Sequence, residues 1–257
     1  MLVLLSCAKT MSAVSKVKVP LTTSPRFQKE AAEIALQMSQ FSVDELERLL
    51  RVNAKIAVEN YKRYQAVHAE ATPELPALLA YTGIVFKRLN PKDFSAEDFG
   101  YAQEHLRLTS FCYGLLRPLD VIRAYRLEGD VVLPELGNQT LFFYWRSRLT
   151  DTFIEDIRSA GGILCNLASD EMKSLFDWKR VESEVRVVTP EFHVWKNGKL
   201  ATIVVYTKMS RGERTRFILK NKIGNPEELK GFSWEGFEFD ESLSDERKLV
   251  FINGMGE

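Results

Sequence analysis

Two stretches of this chain place reactive side chains directly after short apolar runs. Ser6-Cys7-Ala8-Lys9-Thr10 follows Val3-Leu4-Leu5, and Asn166-Leu167-Ala168-Ser169-Asp170-Glu171 follows Ile163-Leu164-Cys165. Polar residues at the carboxyl end of a buried strand are where α/β proteins often build sites. If both runs are buried strands, the two motifs can converge on one pocket. Lys9 beside a carboxylate could clamp an anion or, if desolvated, act as a base. Lys9, Ser169, Asp170 and Glu171 are therefore the candidate catalytic residues. The same residue types also suit a helix start, with Ser169 or Asp170 capping a backbone N–H and Glu171 in the first turn. Asp170 and Glu171 offer oxygen ligands, but dispersed His and Cys give no metal-binding pattern, so no metal or cofactor is expected.

Two further stretches are locally basic. His105 to Arg126 carries Arg107, Arg117, Arg123 and Arg126 against the single acid Asp120. Within it, Tyr113-Gly114-Leu115-Leu116-Arg117-Pro118-Leu119-Asp120 reads as helix, tight hairpin, helix. Gly114 would take positive φ as a C-terminal cap, and Pro118 would open the next helix. Such a hairpin presents backbone N–H groups to a phosphate, with Arg117 adding a bidentate contact. An ordinary corner between helices with a surface Arg117 fits the same residues. The second basic stretch places Lys208, Arg211, Arg214, Arg216, Lys220 and Lys222 around one acid, Glu213. Ser210 and Glu213 suit a capping box. Arg216 and Lys220, four apart, share a helix face that excludes Arg214. A run of this kind is also a common solvated surface.

Other chemistries lack support. His68, His105 and His193 stand in no metal-ligand spacing, and GxSxG, Walker A and GxGxxG patterns are absent. Cys7, Cys112 and Cys165 are scattered and odd in number, which argues for a reducing compartment, hence cytoplasm. Cys7 is the thiol nearest a basic residue, Lys9, whose charge would lower its pKa.

The elements that must position these residues follow from periodicity. Val3–Leu5 reads as a short buried strand, and residues 11–25 as a polar, extended excursion. Ser42 with Glu45 forms a capping box before Leu46, Leu49 and Leu50, and helical spacing continues through Tyr64. Ser95 with Asp98 starts another helix, with Phe99, Ala102, Leu106 and Phe111 as its apolar face. Val185–Trp195 and Leu200–Tyr206 are strand-like runs joined by Asn197-Gly198, a strong hairpin signal. A helix is expected over Arg214–Lys222, then a last strand pair at Trp234–Phe239 and Leu249–Ile252. Helices and strands mix without regular βαβ alternation, so the expected class is α+β: one compact mixed domain with a helix-hairpin-helix element.

Composition sets the outer bounds. The chain has 257 residues, 45% hydrophobic and 27% charged, which excludes a disordered protein, a collagen or a long coiled coil. Lys+Arg and Asp+Glu are 35 each, so a uniformly basic nucleic-acid binder is excluded while a basic face on a neutral body is not. No run approaches the roughly 18 apolar residues of a membrane span, and Met1–Leu5 is too short for a secretory leader. No membrane association is expected.

The sequence resembles the UPF0246 (DUF328) family, the YaaA-type peroxide stress proteins. The resemblance is carried by Leu4-Leu5-Ser6-Cys7-Ala8-Lys9-Thr10, Phe94-Ser95-Ala96-Glu97-Asp98-Phe99, the Tyr113–Asp120 stretch and Tyr125-Arg126-Leu127-Glu128. It continues through Asn166–Glu171, Arg211-Gly212, Arg216-Phe217 and Leu229-Lys230-Gly231-Phe232, spanning essentially the whole chain in one order. It implies one YaaA-like domain over 1–257, a helix-hairpin-helix element, a positively charged cleft, DNA binding and limitation of iron and peroxide damage. The chain departs from the pattern at three positions: Leu116 stands where a second hairpin glycine is usual, Cys7 where Pro is, and Ser210 where Lys often is.

Two expectations result. The first is a cytoplasmic stress protein that holds the backbone of duplex or distorted DNA through Lys9, Gly114, Arg117, Arg123, Arg126, Lys208, Arg211, Arg214 and Arg216. The second is an enzyme acting on a nucleotide, nucleobase or other small anionic ligand, with Lys9 and Asp170 a few ångströms apart.

Overall fold

Strand β1 (Leu2–Leu5) is apolar at every position and buried at every position. A strand without polar alternation must be covered on both faces, which places it inside a parallel sheet. The computed structural model, which describes residues 1–254 apart from His68, Glu70 and Asn197, puts it there. Helices α1 (Gln28–Met38), α2 (Val43–Leu50) and α3 (Ala54–Gln65) follow the extended 11–25 segment. The Ser42–Glu45 capping box forms as its sequence dictates, but the helical run breaks at Arg51, in the left-handed region, and restarts at the Asn53 cap. Next come β2 (Leu75–Pro76), α4 (Ala77–Ala80), α5 (Ile84–Leu89) and α6 (Ala96–His105), the last opened by the Ser95–Asp98 box.

The expected helix-hairpin-helix is absent at Gly114. Helix α6 stops at His105, and Leu106–Ser110 is a buried strand, β3, that runs parallel to β1. It turns through Phe111–Tyr113 into the antiparallel strand β4 (Gly114–Leu116). Leu106 and Phe111 suggested a helix face. Pairing with β1 overrides that local preference, and Arg107 is tolerated inside because Asp156 sits 2.6 Å from its Nε. Gly114, at φ +71, is a hairpin residue rather than a helix cap. Pro118 opens no helix; the 117–120 turn is instead closed by Asp120, which accepts from the Arg117 N–H at 2.8 Å.

After β5 (Val121–Ile122), β6 (Val132–Leu133) and β7 (Gln139–Thr140) comes the long helix α7 (Leu141–Ser159). Then follow β8 (Ile163–Asn166), α8 (Asp170–Lys173), α9 (Trp178–Glu184), β9 (Arg186–Lys196) and β10 (Lys199–Ala201). The β9–β10 hairpin forms as expected, with Gly198 at φ +69; Asn197 lies outside the described residues. Helix α10 (Val204–Asn221) begins ten residues before the expected start, so Val204–Tyr206 are helical rather than extended. Ser210 is buried within this helix and caps nothing. Strands β11 (Phe237–Asp240) and β12 (Lys248–Asn253) close the chain as an antiparallel pair.

One mixed sheet, ordered β11-β12-β9-β8-β1-β3-β4, forms the centre of this α+β domain, and β10 pairs with β9. Its middle ladders are parallel, so β1, β3 and β8 all end at the same edge. No described helix is long and apolar enough to cross a membrane.

Helix α10 lies across α5 at very close range. A Cβ on Gly212 would fall 2.2 Å from the Val85 carbonyl oxygen, so only glycine permits the crossing. Further along α10, Arg216 holds the Asp93 carboxylate, and Lys220 donates to Asp98 at 2.8 Å. Asp98 is buried, which by itself would raise its pKa. The Lys220 ammonium and the Ser95 cap outweigh burial, and the carboxyl titrates below its ordinary range.

Two stability measurements test this frame. Gly212→Ala is expected to lower unfolding free energy by about 1–3 kcal/mol through overpacking, read as a lower urea midpoint; an unchanged midpoint would refute the close crossing. Asp98→Asn is expected to cost about 1–2 kcal/mol at neutral pH. Because the folded carboxyl titrates low, its contribution is full above the unfolded pKa of about 3.9 and fades as pH falls through the folded value. The difference between Asp98→Asn and the parent should therefore shrink in acid, and a constant difference would contradict the ion pair.

Candidate functional site

The parallel register of β1 and β8 delivers the two chemistry-bearing loops to one sheet edge. Leu4 pairs with Asn166, and the Leu167 N–H donates to the Leu4 carbonyl at 2.9 Å. The loops are then stitched together: the Ser169 N–H donates to Ser6 Oγ at 2.9 Å, and the two hydroxyls stand 3.2 Å apart. Cys7 N–H donates to Thr109 Oγ1 on β3, tying the first loop to the third strand end. Asn166 Oδ1 accepts from the Ala168 N–H and turns the chain away from the sheet.

Above these strand ends lies a cleft of about 400 Å³. The Ser6–Thr10 loop forms one wall, and the start of α5 with Tyr125–Leu127 forms another. Ser169, Glu171 and the α10 side chains Lys208 and Arg211 complete it. Four of the nine expected nucleic-acid contacts therefore meet here: Lys9, Arg126, Lys208 and Arg211.

The carboxylate at Lys9 is Glu128, not Asp170. Lys9 Nζ donates to Glu128 Oε2 at 2.7 Å, and Arg126 Nη2 approaches Glu128 Oε1 at 3.6 Å. Glu128 is buried, whereas Asp170 is almost fully exposed and pairs with Lys173 at 2.8 Å. That ammonium holds the Asp170 carboxyl below its ordinary range. Glu171 lines the cleft while Asp170 does not, so the two do not act as one ligand pair there. The cleft holds four cations against Glu128 and Glu171.

Lys208 and Arg211 form no ion pair among the described residues. The Arg211 guanidinium makes no hydrogen bond there either, and partial burial lowers its pKa against the raising influence of Asp170. Arg126 Nε is buried and without a partner among the described residues. Guanidinium groups with unused donors in a partly desolvated site are well suited to a carboxylate or phosphate.

The other expected contacts lie elsewhere. Arg117 is held by Asp120 at 3.0 Å and by the Ser24 carbonyl, and Arg123 by Glu74 at 3.0 Å. Arg216 is bound by Asp93 and by the Leu89 and Asn90 carbonyls. Gly114 is buried against Trp145, 2.8 Å from where a Cβ would sit, and cannot meet a phosphate. Arg214 is wholly buried, stacked on Phe251 at 4.1 Å and Phe232 at 4.7 Å, with one hydrogen bond to the Leu229 carbonyl. Burial pulls its pKa down to about 10.

Cys7 also departs from expectation. Burial pushes its thiol up to about 12, with Glu171 and Glu128 adding to the rise, so Lys9 does not activate it. His105 stacks on Tyr101, His193 contacts Glu191 and Thr202, and His68 lies outside the described residues. Sequence reasoning missed Glu128, Ser6 and Tyr125 as site residues. No local pattern marks Glu128, whose partner Lys9 lies 119 residues away.

Comparison with known proteins agrees with this arrangement of motifs. The family description "Peroxide stress protein YaaA" matches residues 1–243. A UPF0246 protein of Bacteroides thetaiotaomicron is 98% identical over 257 residues, covering 100% of both chains. One from Porphyromonas gingivalis is 51% identical over 254 residues, covering 98% of this chain and 99% of its own. One from Crocosphaera subtropica is 37% identical over 253 residues, covering 98% and 100%. The chain belongs to the UPF0246 family of YaaA-type peroxide stress proteins.

Proposed function

We propose that this protein serves its family's peroxide-stress role by binding DNA through phosphate groups seated in the cleft between β1, β8 and α10. The observation that carries this reading is Arg211: a partly buried guanidinium with no hydrogen-bond or ion-pair partner among the described residues, beside a Lys208 that is equally unpaired among them. Leaving such a group unmatched is unfavourable, and an anion relieves it. Lys9 and Arg126 stand ready as further phosphate contacts, with Glu128 orienting both until one arrives. Contacts of this kind read backbone rather than base edges, so binding is largely independent of sequence.

The cleft volume favours a second reading. About 400 Å³ is the scale of a small-ligand site, lined here by the Ser6 and Ser169 hydroxyls and the Lys9–Glu128 pair. A nucleotide-sized anion, bound alone and processed there, would use Arg211 as its clamp.

Gel-shift titrations across salt test the first reading. Arg211→Ala and Lys208→Ala should each make the slope of log K against log salt shallower by roughly 0.9 on duplex DNA. Arg117→Ala should leave it unchanged, because Asp120 already occupies that side chain. Absence of binding at low salt, or a slope indifferent to Arg211, would sink the proposal. For the second reading, calorimetry with nucleoside monophosphates should give saturable binding that Arg211→Ala abolishes. No heat at millimolar ligand would exclude it.

A further inference from the structure

The extended 11–25 segment has no role in the cleft, yet it builds one wall of a second, larger groove of about 930 Å³. The two cavities adjoin: Thr10 and Gly83 line the cleft, while Ser12 and Thr82 line the groove. The Thr10–Ser12 strap is pinned where the Thr82 N–H donates to the Thr10 carbonyl at 3.0 Å and the Ser12 N–H to the Ala80 carbonyl at 2.8 Å. Past it, Val17 and Val19 turn inward onto the core while Lys16 and Lys18 stand exposed. Lys87 on α5 and Lys92 just beyond it project from the opposite wall, and both are exposed.

The charge of this groove is one-sided. None of its lining residues is acidic, and none of these four lysines forms an ion pair among the described residues. The whole chain carries equal numbers of acidic and basic residues, and its arginines are mostly bound to carboxylates or carbonyls. Isolated surface lysines are commonplace. Four cations from three segments around one apolar-floored groove, with every acid kept out, form an electrostatic track. Lysine ammoniums are mobile point charges, suited to following a chain of phosphates rather than gripping one group bidentately.

We propose that this groove binds a single-stranded segment of the nucleic acid whose backbone enters the cleft, so that one strand crosses the Thr10–Ser12 strap and continues along Lys16, Lys18, Lys87 and Lys92. The inference rests on the nucleic-acid reading of the cleft. Two features favour a nucleic-acid strand over an acidic peptide: the adjacency of the two cavities, whose walls share the Thr82–Phe86 stretch, and the unrelieved positive sign of the second. Basic grooves with apolar floors are a recurrent way to hold single strands, with phosphates on the rim and base or sugar faces below.

The test uses the full chain and fluorescence anisotropy with two labelled single strands, a dodecanucleotide and a trinucleotide. The variant combines Lys16→Gln, Lys18→Gln, Lys87→Gln and Lys92→Gln; these exposed, unpaired positions should leave the melting temperature unchanged. For the dodecanucleotide, the slope of log K against log salt should become shallower by about 2–3, at roughly 0.7 per lost phosphate contact. Trinucleotide binding should be unaffected, because the cleft alone holds it, whereas Arg211→Ala should weaken both. A dodecanucleotide slope that the lysine substitutions do not move, while Arg211→Ala still weakens binding, overturns the groove and leaves the cleft standing. Absence of dodecanucleotide binding by a parent protein that still binds duplex DNA overturns the groove and leaves the cleft standing; absence of binding to either overturns both. A polyglutamate peptide that binds the parent as tightly as the dodecanucleotide, and loses binding in the lysine variant, reassigns the groove to acidic peptides.

Discussion

The arrangement of the cleft depends on how closely α10 can lie against α5. That distance is set where Gly212 meets the Val85 carbonyl, with no room for a side chain between them. Arg211 precedes this glycine and Lys208 lies one turn before it, so the contact that fixes the helix also fixes both cleft cations. One and two turns further on, Arg216 and Lys220 clamp the helix to Asp93 and Asp98. A helix held at its middle and its far end cannot slide, and its two unpaired cations are therefore presented over the ends of β1 and β8.

The same helix shows why a basic run in sequence says little about a basic surface. Its cations, with that of its C-cap Lys222, meet three different environments. Arg216 and Lys220 are neutralised by carboxylates, Lys222 pairs with Glu97, and Arg214 is driven into an aromatic interior. Among the described residues, only Lys208 and Arg211 of this run face the cleft without an ion pair. Burying Arg214 without a carboxylate is costly, and its Nε and Nη1 lack partners among the described residues. The rings of Phe232 and Phe251 offset part of that cost through their negatively polarised faces. A charge that is unused by any ligand can thus still be tied into the packing of β12 and the segment before β11.

Legibility in the sequence followed the range of the interactions concerned. The Ser42 and Ser95 boxes, the buried strands at Val3–Leu5 and Ile163–Cys165, and the β9–β10 hairpin are set by neighbours in the chain, and each stands as read. The meeting of the Lys9 and Ser169 loops is also implied once two parallel strands end together. Leu106–Ser110 misled because its apolar spacing fits a helix and only its pairing with β1 makes it a strand. Val204–Tyr206 misled in the opposite sense: β-branched residues favour extension, but this stretch is the exposed first turn of a helix anchored further along. Glu128 was invisible as the partner of Lys9 because the two lie 119 residues apart, and no local pattern announces that contact.

Glu128 also bears on selectivity. It is buried while its partner Lys9 is largely exposed, so the pair is asymmetric: the carboxylate needs the cation more than the cation needs it. This keeps Lys9 and Arg126 in place at little cost to either. An arriving anion must compete with Glu128 for both, and a lone monoanion gains little by displacing a carboxylate that is already well placed. A phosphate that also engages Arg211 and Lys208 adds two interactions that have no competitor. On the proposed reading, the cleft would discriminate by how many cations a ligand reaches at once, which would favour a phosphodiester chain or a polyphosphate over a small carboxylate.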